Sequence, residues 1–204
     1  MEDIAWSPNE GTVFASCGVD GAVRIWDTRA PGRRCMLQAA AHATDVNVLS
    51  WSPLLSFLLL SGADDGGFKI WDLRRFAAGG AAEPPLPLAS FAWHAAPITA
   101  LEWAPDDENV FVVSCADNTV TLWDMSLEAD EDAELALAAR GAGTAQLPST
   151  RDPRLADIPA QLLFIHAGLD DVKEVHFHRQ LPGVVIATSN NGIDIFKPDV
   201  VVTA

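Results

Sequence analysis

Apolar and polar positions along this chain follow a repeated phrase of alternating residues that closes on Trp-Asp. It reads GAVRIWD up to Asp27, GGFKIWD up to Asp72 and NTVTLWD up to Asp124. The second tryptophan follows the first by 45 residues, and the third follows the second by 52. Repeats of about 40 to 45 residues with this ending are typical of a β-propeller, in which each unit is one four-stranded blade. The pattern therefore predicts an all-β chain with one regular period and one period that carries an insertion.

A fourth, altered unit closes the chain. It reads SNNGIDIFK, with Asn190 in the place of the aspartate and Phe196 in the place of the tryptophan. The opening strands agree, because they read IAWSP, VLSWSP, ALEWAP and EVHFHR at matching positions. We therefore expect a WD-repeat β-propeller with four blades, over about 1–40, 41–92, 93–165 and 166–204. Seven blades would need on the order of 300 residues, so we interpret the 204 residues as the C-terminal part of a seven-bladed ring.

Polar residues accompany each Trp-Asp at fixed distances. An aspartate stands six residues before each tryptophan, a histidine stands 23 residues before two of these aspartates, and a serine lies in the preceding strand of those two units. The set comprises Asp20 and Trp26 in the first unit, His42, Ser61, Asp65 and Trp71 in the second, and His94, Ser114, Asp117 and Trp123 in the third. Buried polar groups need partners, and one shared network would pair them all. We predict that the aspartate accepts from the histidine, which reaches the serine and the indole, so that the histidines are structural. The fourth unit is predicted to lack this network.

Charge and hydropathy narrow the classes of partner. The chain has 28 acidic and 13 basic residues, with a net charge of −15, which disfavours a direct nucleic-acid surface and favours basic proteins. A membrane span needs roughly 18 apolar residues, whereas the best run here is LLSFLLL at 54–60, so we expect no membrane insertion. Cys17, Cys35 and Cys115 are too few for a disulfide framework and are predicted to be small packed residues.

An acidic insertion separates the third and fourth units over residues 127–159, without the alternation of a strand. Its five acids between Glu128 and Glu134 predict a solvated loop. The alternative is a docking segment for a basic tail. A second stretch rich in proline and glycine occupies the equivalent place at 77–87, and we expect both to emerge from one side of the propeller.

Catalytic and metal-binding chemistry finds little support. His176 and His178 alternate along one strand and share a face, but no third ligand follows at a spacing typical of zinc. Neither a glycine-rich phosphate loop nor a nucleophile motif is present. The sequence predicts a scaffold without enzymatic activity, cofactor or metal.

Four long phrases resemble the C-terminal half of the glutamate-rich WD-repeat protein family: VFASCGVDGAVRIWDTRAP, HATDVNVLSW, LLSGADDGGFKIWDLRRF and PAQLLFIHAGLDDVKEVHFHRQLPGVVIATSNNGIDIFK. That family is related to the histone-binding propellers of the retinoblastoma-binding type. The resemblance implies a protein of the nucleus and nucleolus that assists ribosome assembly by escorting a basic ribosomal protein. It also implies association with histones.

The expected partner surface is the top face, formed by the turn of the network aspartate and the loop of the histidine. Acids beside those anchors are Asp45, Asp64, Asp170 and Asp171. A basic tail would meet complementary charge there. The alternative is that these are ordinary solvated turn residues.

A different class of function is indicated by two arginines. Arg29 and Arg74 each follow a Trp-Asp by two positions, in WDTR and WDLR. This is the motif by which WD-repeat substrate receptors dock on the adaptor of cullin-RING ubiquitin ligases. The alternative is a solvated basic residue just past a strand, because so short a motif often occurs without that role.

Overall fold

The computed structural model describes residues 1–78, 85–127 and 158–198, and these form four antiparallel sheets in chain order. The first blade contains β1 Ile4–Trp6, β2 Val13–Cys17, β3 Ala22–Asp27 and β4 Leu37–Ala40, with a 3-10 turn at Pro31–Arg33. The second contains β5 Val46–Trp51, β6 Leu58–Ala63, β7 Phe68–Asp72 and β8 Ala89–Phe91, with the short helix α1 Leu73–Ala78 after β7. The third contains β9 Ile98–Trp103, β10 Val110–Cys115, β11 Thr119–Asp124 and β12 Leu162–Ala167. The fourth contains β13 Glu174–Phe177, β14 Val185–Ser189 and β15 Gly192–Phe196.

Strand register places the same row of large side chains on one face of every blade. Directly opposed residues form the rows Trp6–Phe14–Trp26, Trp51–Leu59–Trp71, Trp103–Phe111–Trp123 and Phe177–Val185–Phe196. We call this the aromatic face. Side chains alternate along a strand, so the residue before each third-strand aromatic lies on the opposite face, which we call the aliphatic face. Its central opposed pairs are Ala15–Ile25, Leu60–Ile70, Val112–Leu122 and Ile186–Ile195.

The aliphatic face of each blade packs on the aromatic face of the next, and this contact builds three cores. The first core joins Ala15, Val23 and Ile25 to Leu59 and Trp71. The second joins Leu60, Phe68 and Ile70 to Phe111 and Trp123, and the third joins Val112, Val120 and Leu122 to Val185 and Phe177. Propeller blades are stabilised by this stacking of neighbours, because one sheet alone cannot bury its apolar face.

Tight turns between the second and third strands bring each blade against the loop that enters the next. Gly21 and Gly66 have φ of +67° and +78°, which a side chain rarely adopts. A Cβ at either position would also collide with the backbone carbonyl of His42 or His94. In the third blade Asn118 occupies the left-handed position instead, with φ of 69°.

The predicted all-β fold with four blades of a partial propeller is confirmed, apart from the one-and-a-half turns of α1. Strand β12 of the third blade continues to Ala167 and so includes the first two residues of the expected fourth unit. Most of the acidic insertion 127–159, and residues 79–84 of the 77–87 stretch, lie outside the described residues. Within the described part of the chain, no helix is long and apolar enough to cross a membrane.

Candidate functional site

The second blade contains a buried network in which one serine connects the histidine to the tryptophan. His42 Nε2 lies 2.9 Å from Ser61 Oγ, and the indole of Trp71 donates to the same hydroxyl over 2.9 Å. Burial, together with the ammonium of Lys69, lowers the pKa of His42 to about 4, so the imidazole is neutral at physiological pH. Asp65 accepts instead from the backbone N–H of Gly67, and no hydrogen bond among the described residues joins it to His42. The aspartate therefore closes the turn, contrary to the prediction that it holds the histidine.

In the third blade the aspartate does hold the histidine. His94 Nδ1 lies 3.1 Å from Asp117 Oδ2, and His94 Nε2 lies 3.0 Å from Thr121 Oγ1. The indole of Trp123 donates to the same threonine hydroxyl over 2.8 Å. Burial alone would raise the pKa of Asp117, but hydrogen bonds from His94 and Thr119 hold it well below its usual range.

Ser114 does not take part in this network, so its predicted role was wrong. In the second blade Ser61 lies opposite Lys69, two residues before the tryptophan. The equivalent position of the third blade, opposite Thr121, is held by Val113. Because side chains alternate, the shift of one residue turns Ser114 to the other face, where it meets Thr99 Oγ1 at 2.8 Å. The nine residues from serine to tryptophan, against ten in the other two units, were the signal for this change.

The two terminal blades keep only parts of the network. In the first blade the indole of Trp26 donates to Ser16 Oγ over 2.8 Å, and Asp20 pairs with Arg24 at 2.5 Å.

In the fourth blade the ring of His166 stacks on that of Phe196, with ring centroids 4.0 Å apart. The Nε2 atom of His166 lies 3.6 Å from Asp194 Oδ2. Ala187 lies opposite Asp194, where the second blade has its serine hydroxyl. Stacking thus replaces the hydrogen-bonded network, and no hydrogen bond among the described residues reaches His166 Nε2.

One group of side chains in the described residues has metal-ligand composition: the ligand atoms of His94, Cys115 and Asp117 lie within 4.8 Å of one another. Both imidazole nitrogens already have partners, as given above. Burial raises the pKa of the Cys115 thiol to about 12, and this thiol donates to the carbonyl of Ala96. A protonated thiol beside a fully bonded imidazole fits a structural network better than a metal site.

His176 in β13 and His178 just after this strand likewise have local partners. His176 Nδ1 lies 3.2 Å from Glu102 Oε2. His178 Nδ1 accepts from the backbone N–H groups of Gln180 and Leu181. Each ring therefore has a protein partner of its own, and the two do not converge on one ligand.

The expected top-face acids form two pairs on one rim. Asp45 and Asp64 are adjacent, since the backbone N–H of Asp64 donates to the carbonyl of Asp45 over 3.0 Å. Asn47 orients the Asp64 carboxylate by donating to it over 2.7 Å. Asp64 and Asp65 are both exposed, so the turn presents two carboxylates side by side.

Asp170 and Asp171 lie in the equivalent loop before the fourth blade. The backbone N–H of Asp171 donates to Asn118 Oδ1 over 2.8 Å, and that of Asn190 donates to the carbonyl of Asp170. Lys173 pairs with Asp171 at 2.6 Å. The structure thus brings each pair of acids together, with the third blade between the two pairs.

The two arginines of the WDxR motifs lie on the opposite rim, at the other end of the third strands. Arg29 binds Asp27 through Nε and Nη2, and Arg74 binds Asp72 in the same way. These hydrogen bonds hold the pKa of Asp27 at about 2 and lower that of Asp72. The Arg74 guanidinium also lies 3.6 Å from the ring centroid of Phe57. Both arginine side chains remain about two-thirds exposed.

Sequence reasoning missed a set of clamps between the innermost strands. A side-chain oxygen of one blade accepts a backbone N–H of the next in three places: Asp3 from Leu49 at 2.8 Å, Ser50 from Trp103 at 3.3 Å, and Glu102 from Phe177 at 2.8 Å. For Ser50 and Glu102 the available signal was a polar residue directly before the opening-strand tryptophan, whereas Asp3 stands three residues before Trp6. One of these acceptors, Asp3, lines a cavity of about 300 Å³ on the inner surface of the arc together with Glu2 and Glu174.

Comparison with known proteins agrees with this geometry. The family described as WD domain, G-beta repeat matches residues 2–27, 33–72 and 86–124, which are the three units with an intact Trp-Asp. The chain is 49% identical to ribosome assembly protein rrb1 of Schizosaccharomyces pombe over 198 residues, which cover 97% of the chain and 38% of that relative. It is 46% identical to protein HEAT STRESS TOLERANT DWD 1 of Arabidopsis thaliana, covering 97% of the chain and 39% of the relative. It is 45% identical to glutamate-rich WD repeat-containing protein 1 of Dictyostelium discoideum, covering 97% and 37%.

The expected resemblance to glutamate-rich WD-repeat proteins is thereby confirmed. The chain spans somewhat more than a third of the length of these relatives. Together, the repeated Trp-Asp strands, the four stacked sheets and the family match show that this chain belongs to the WD domain, G-beta repeat family.

Proposed function

We propose that this chain is a non-enzymatic docking scaffold in ribosome assembly that binds a basic protein, a ribosomal protein or a histone, through its acidic top rim. The observation that carries the proposal is that four acids lie in two neighbouring pairs at that rim, Asp45 with Asp64 and Asp170 with Asp171, of which Asp64 and Asp170 are exposed and the other two partly buried. The similarity to a ribosome assembly protein supports the process. A place in the nucleus and nucleolus belongs to the same proposal.

Charge explains why a basic partner suits this rim. Three of the four acids have no basic side chain within ion-pairing distance among the described residues, and only Asp171 is paired, with Lys173. The polar groups of the buried histidine networks are bonded to one another. The groups of this rim that remain available to a partner are therefore carboxylate oxygens and backbone atoms. Such a surface attracts lysine and arginine by long-range steering, which acts mainly on the association rate.

The test removes charge without removing hydrogen-bond geometry. The variant Asp45→Asn, Asp64→Asn, Asp170→Asn, Asp171→Asn keeps an acceptor at each site, and asparagine tolerates the φ of 54° at residue 171. A matched control removes four exposed acids from the opposite rim: Glu10→Gln, Asp106→Asn, Asp107→Asn, Glu108→Gln. Both variants change the net charge equally.

Binding is measured by surface plasmon resonance against purified core histones and a lysine- and arginine-rich ribosomal-protein tail peptide. We expect the rim variant to associate roughly ten-fold more slowly, and the control to change little. Equal slowing in both variants would mean that net charge alone acts, and unchanged association in the rim variant would reject the site.

A second candidate is docking on a ubiquitin-ligase adaptor. Its supporting observation is that Arg29 and Arg74, on neighbouring blades, make the same hydrogen bond to the aspartate two residues before them and stay exposed. A contact repeated on two blades would require this. The test is capture of the ligase adaptor by the chain and by Arg29→Ala, Arg74→Ala. Capture that is lost with this variant and kept by the rim variant would support the second function. No capture by the unaltered chain would reject it.

A further inference from the structure

A pocket of about 300 Å³ lies between the first and second blades, on the rim of the WDxR motifs. Both of its walls belong to blades that the structure describes, so the pocket is part of a formed junction and not of an end of the arc. Its polar lining includes Glu10 and Arg74, and both side chains are exposed. The apolar lining consists of Val13, Ile25 and Leu37 from the first blade and Trp51, Phe57 and Leu73 from the second.

The turn between the first two strands explains why this junction is open. In the first blade the backbone N–H of Glu10 donates to Ser7 Oγ over 3.2 Å, and in the second blade that of Leu55 donates to Ser52 Oγ over 3.1 Å. Glu10 and Leu55 are therefore equivalent positions of one turn. Leu55 packs against the second core, whereas Glu10 is exposed. The first junction thus lacks the apolar side chain that the second junction has at this position.

Guanidinium groups dominate the charged surface around this pocket. The side chains of Arg29, Arg74 and Arg75 are all at least 60% exposed. Their ion-pair partners, the aspartates of the first two Trp-Asp dipeptides, are only 13% and 8% exposed, so a binding partner would meet the arginines and not these carboxylates. Glu10 is the acid in the pocket lining. The surroundings of the pocket are therefore locally cationic, on a chain whose net charge is −15.

We propose that this pocket binds an acidic segment of a partner protein, which inserts one large aliphatic side chain between the two blades and sets its carboxylates against the arginines. A small pocket with apolar walls and a few polar groups suits one anchoring side chain. Tryptophan, phenylalanine and arginine, which are enriched at protein interfaces, all belong to its lining. A carboxylate can pair with Nη1 of Arg74, because the contacts of this guanidinium with Asp72 use Nε and Nη2.

This site is separate from the acidic top rim and goes beyond the proposed function. The chain would hold an acidic partner on one rim and a basic partner on the other.

The test is the fluorescence anisotropy of three labelled peptides with the full 204-residue chain. The first peptide has one leucine between two Asp-Glu pairs, the second has alanine in place of the leucine, and the third has asparagine and glutamine in place of the acids. Glu10→Leu gives the first blade the residue that the second blade has, so it should fill the pocket while leaving Arg29 and Arg74 unchanged. It therefore separates this pocket from the ligase-adaptor contact. Asn9→Trp is a second blocking variant on the same exposed turn, Glu10→Gln is the matched control, and urea unfolding checks that each variant folds.

We expect the unaltered chain and Glu10→Gln to bind the leucine peptide about ten-fold more tightly than either of the other peptides, because a leucine side chain buries more apolar surface than alanine does. Glu10→Leu and Asn9→Trp should bind the leucine peptide about ten-fold more weakly, since the pocket is filled. Arg74→Gln should weaken binding similarly through the lost ion pair. The top-rim variant with four asparagines should bind it normally, so failure of this site and failure of the acidic rim are distinguishable.

Equal binding of the three peptides, or no binding, would overturn the proposal. Unchanged binding in a folded Glu10→Leu variant would overturn it as well. Binding that appears only after deletion of residues 128–157 would mean that the acidic insertion of the chain itself, and not a partner, occupies the pocket.

Discussion

At the scale of single residues, the two central blades show that the hydroxyl between histidine and tryptophan can come from either of two strands. A hydroxyl between imidazole and indole is present in both central blades, but Ser61 on the second strand provides it in one and Thr121 on the third strand in the other. Both hydroxyls lie on the aromatic face next to the tryptophan, so either satisfies the same two buried groups.

Replacement of this threonine should therefore destabilise the chain far more than replacement of the serine that the sequence favoured. Thr121→Val leaves His94 Nε2 and the Trp123 N–H without a partner, and each unpaired buried polar group costs about 1 to 3 kcal/mol, so we expect a loss of about 3 kcal/mol. Ser114→Ala removes a partner of the half-buried Thr99 hydroxyl and a long hydrogen bond to the carbonyl of Ala100, and should cost about 1 kcal/mol. Urea unfolding of both variants checks this, and a larger loss for Ser114→Ala would contradict the assignment.

A second prediction at this scale concerns pH. The folded chain lowers the pKa of His42 from 6.5 to about 4 through burial, so protonation favours the unfolded state. Stability is therefore full above pH 6.5 and falls as the pH drops from 6.5 to 4, by about 3 kcal/mol in all. The folded chain lowers the pKa values of three aspartates, Asp27, Asp72 and Asp117. These groups therefore change the free energy of unfolding only below that pH window.

His42→Gln retains a polar group but cannot titrate, so its unfolding free energy should depend less on pH between 4 and 6.5. The measurement is a series of urea titrations across this range. A slope equal to that of the unaltered chain would show that another group is responsible.

At the scale of elements, the blades are joined by more than apolar stacking. In β5, β9 and β13 a backbone N–H donates a hydrogen bond to a side-chain oxygen of the preceding blade, and the acceptor lies on, or just before, the innermost strand of that blade. In the first blade Ala5 occupies the position equivalent to Ser50 and Glu102, and Asp3 acts two residues earlier on Leu49. The two-residue period of a strand permits this displacement without a change of face.

Loss of a clamp should loosen the blade that it holds. Glu102→Ala removes the carboxylate that accepts from Phe177, and a hydrogen bond to a charged group is worth about 1.5 to 3 kcal/mol. Since this side chain is partly solvated, we expect about ten-fold faster hydrogen exchange at the Phe177 amide. Glu102→Gln keeps an acceptor and should retain most of the protection. Glu174→Ala is the control, and equally fast exchange there would reject the clamp.

At the scale of the whole molecule, net charge is the property that bears on the proposed partner. The net charge of −15 would favour the approach of a basic protein by long-range steering. The rate of association with such a partner should therefore depend on the ionic strength.

Salt should weaken the proposed contact with a basic partner. Exposed charges are screened over about 8 Å at physiological ionic strength and over shorter distances above it. We expect added sodium chloride to weaken the binding of core histones. Titration of salt in surface plasmon resonance measures this effect. Binding that does not change with salt would contradict the acidic rim as the docking surface.

The sequence by itself determined the number of blades, their strands and the residues of their turns. The reason is that these features depend on local alternation and on a period that repeats along the chain, and both are visible in the letters around Trp26, Trp71 and Trp123. It also indicated the altered character of the fourth unit, through Asn190 and Phe196.

Only the tertiary structure decided which hydroxyl completes each network, which acids become clamps and which faces stay exposed. Strand register decides whether Ser114 or Thr121 supplies the hydroxyl of the network, because a shift of one residue exchanges the faces of a sheet. Glu102 and Phe177 are 75 residues apart in the chain, and no local pattern specifies their contact. Ile25 and Ile195 follow the same local pattern, yet one is 4% and the other 66% exposed, because among the described residues only Ile25 has a neighbouring blade packed on its face.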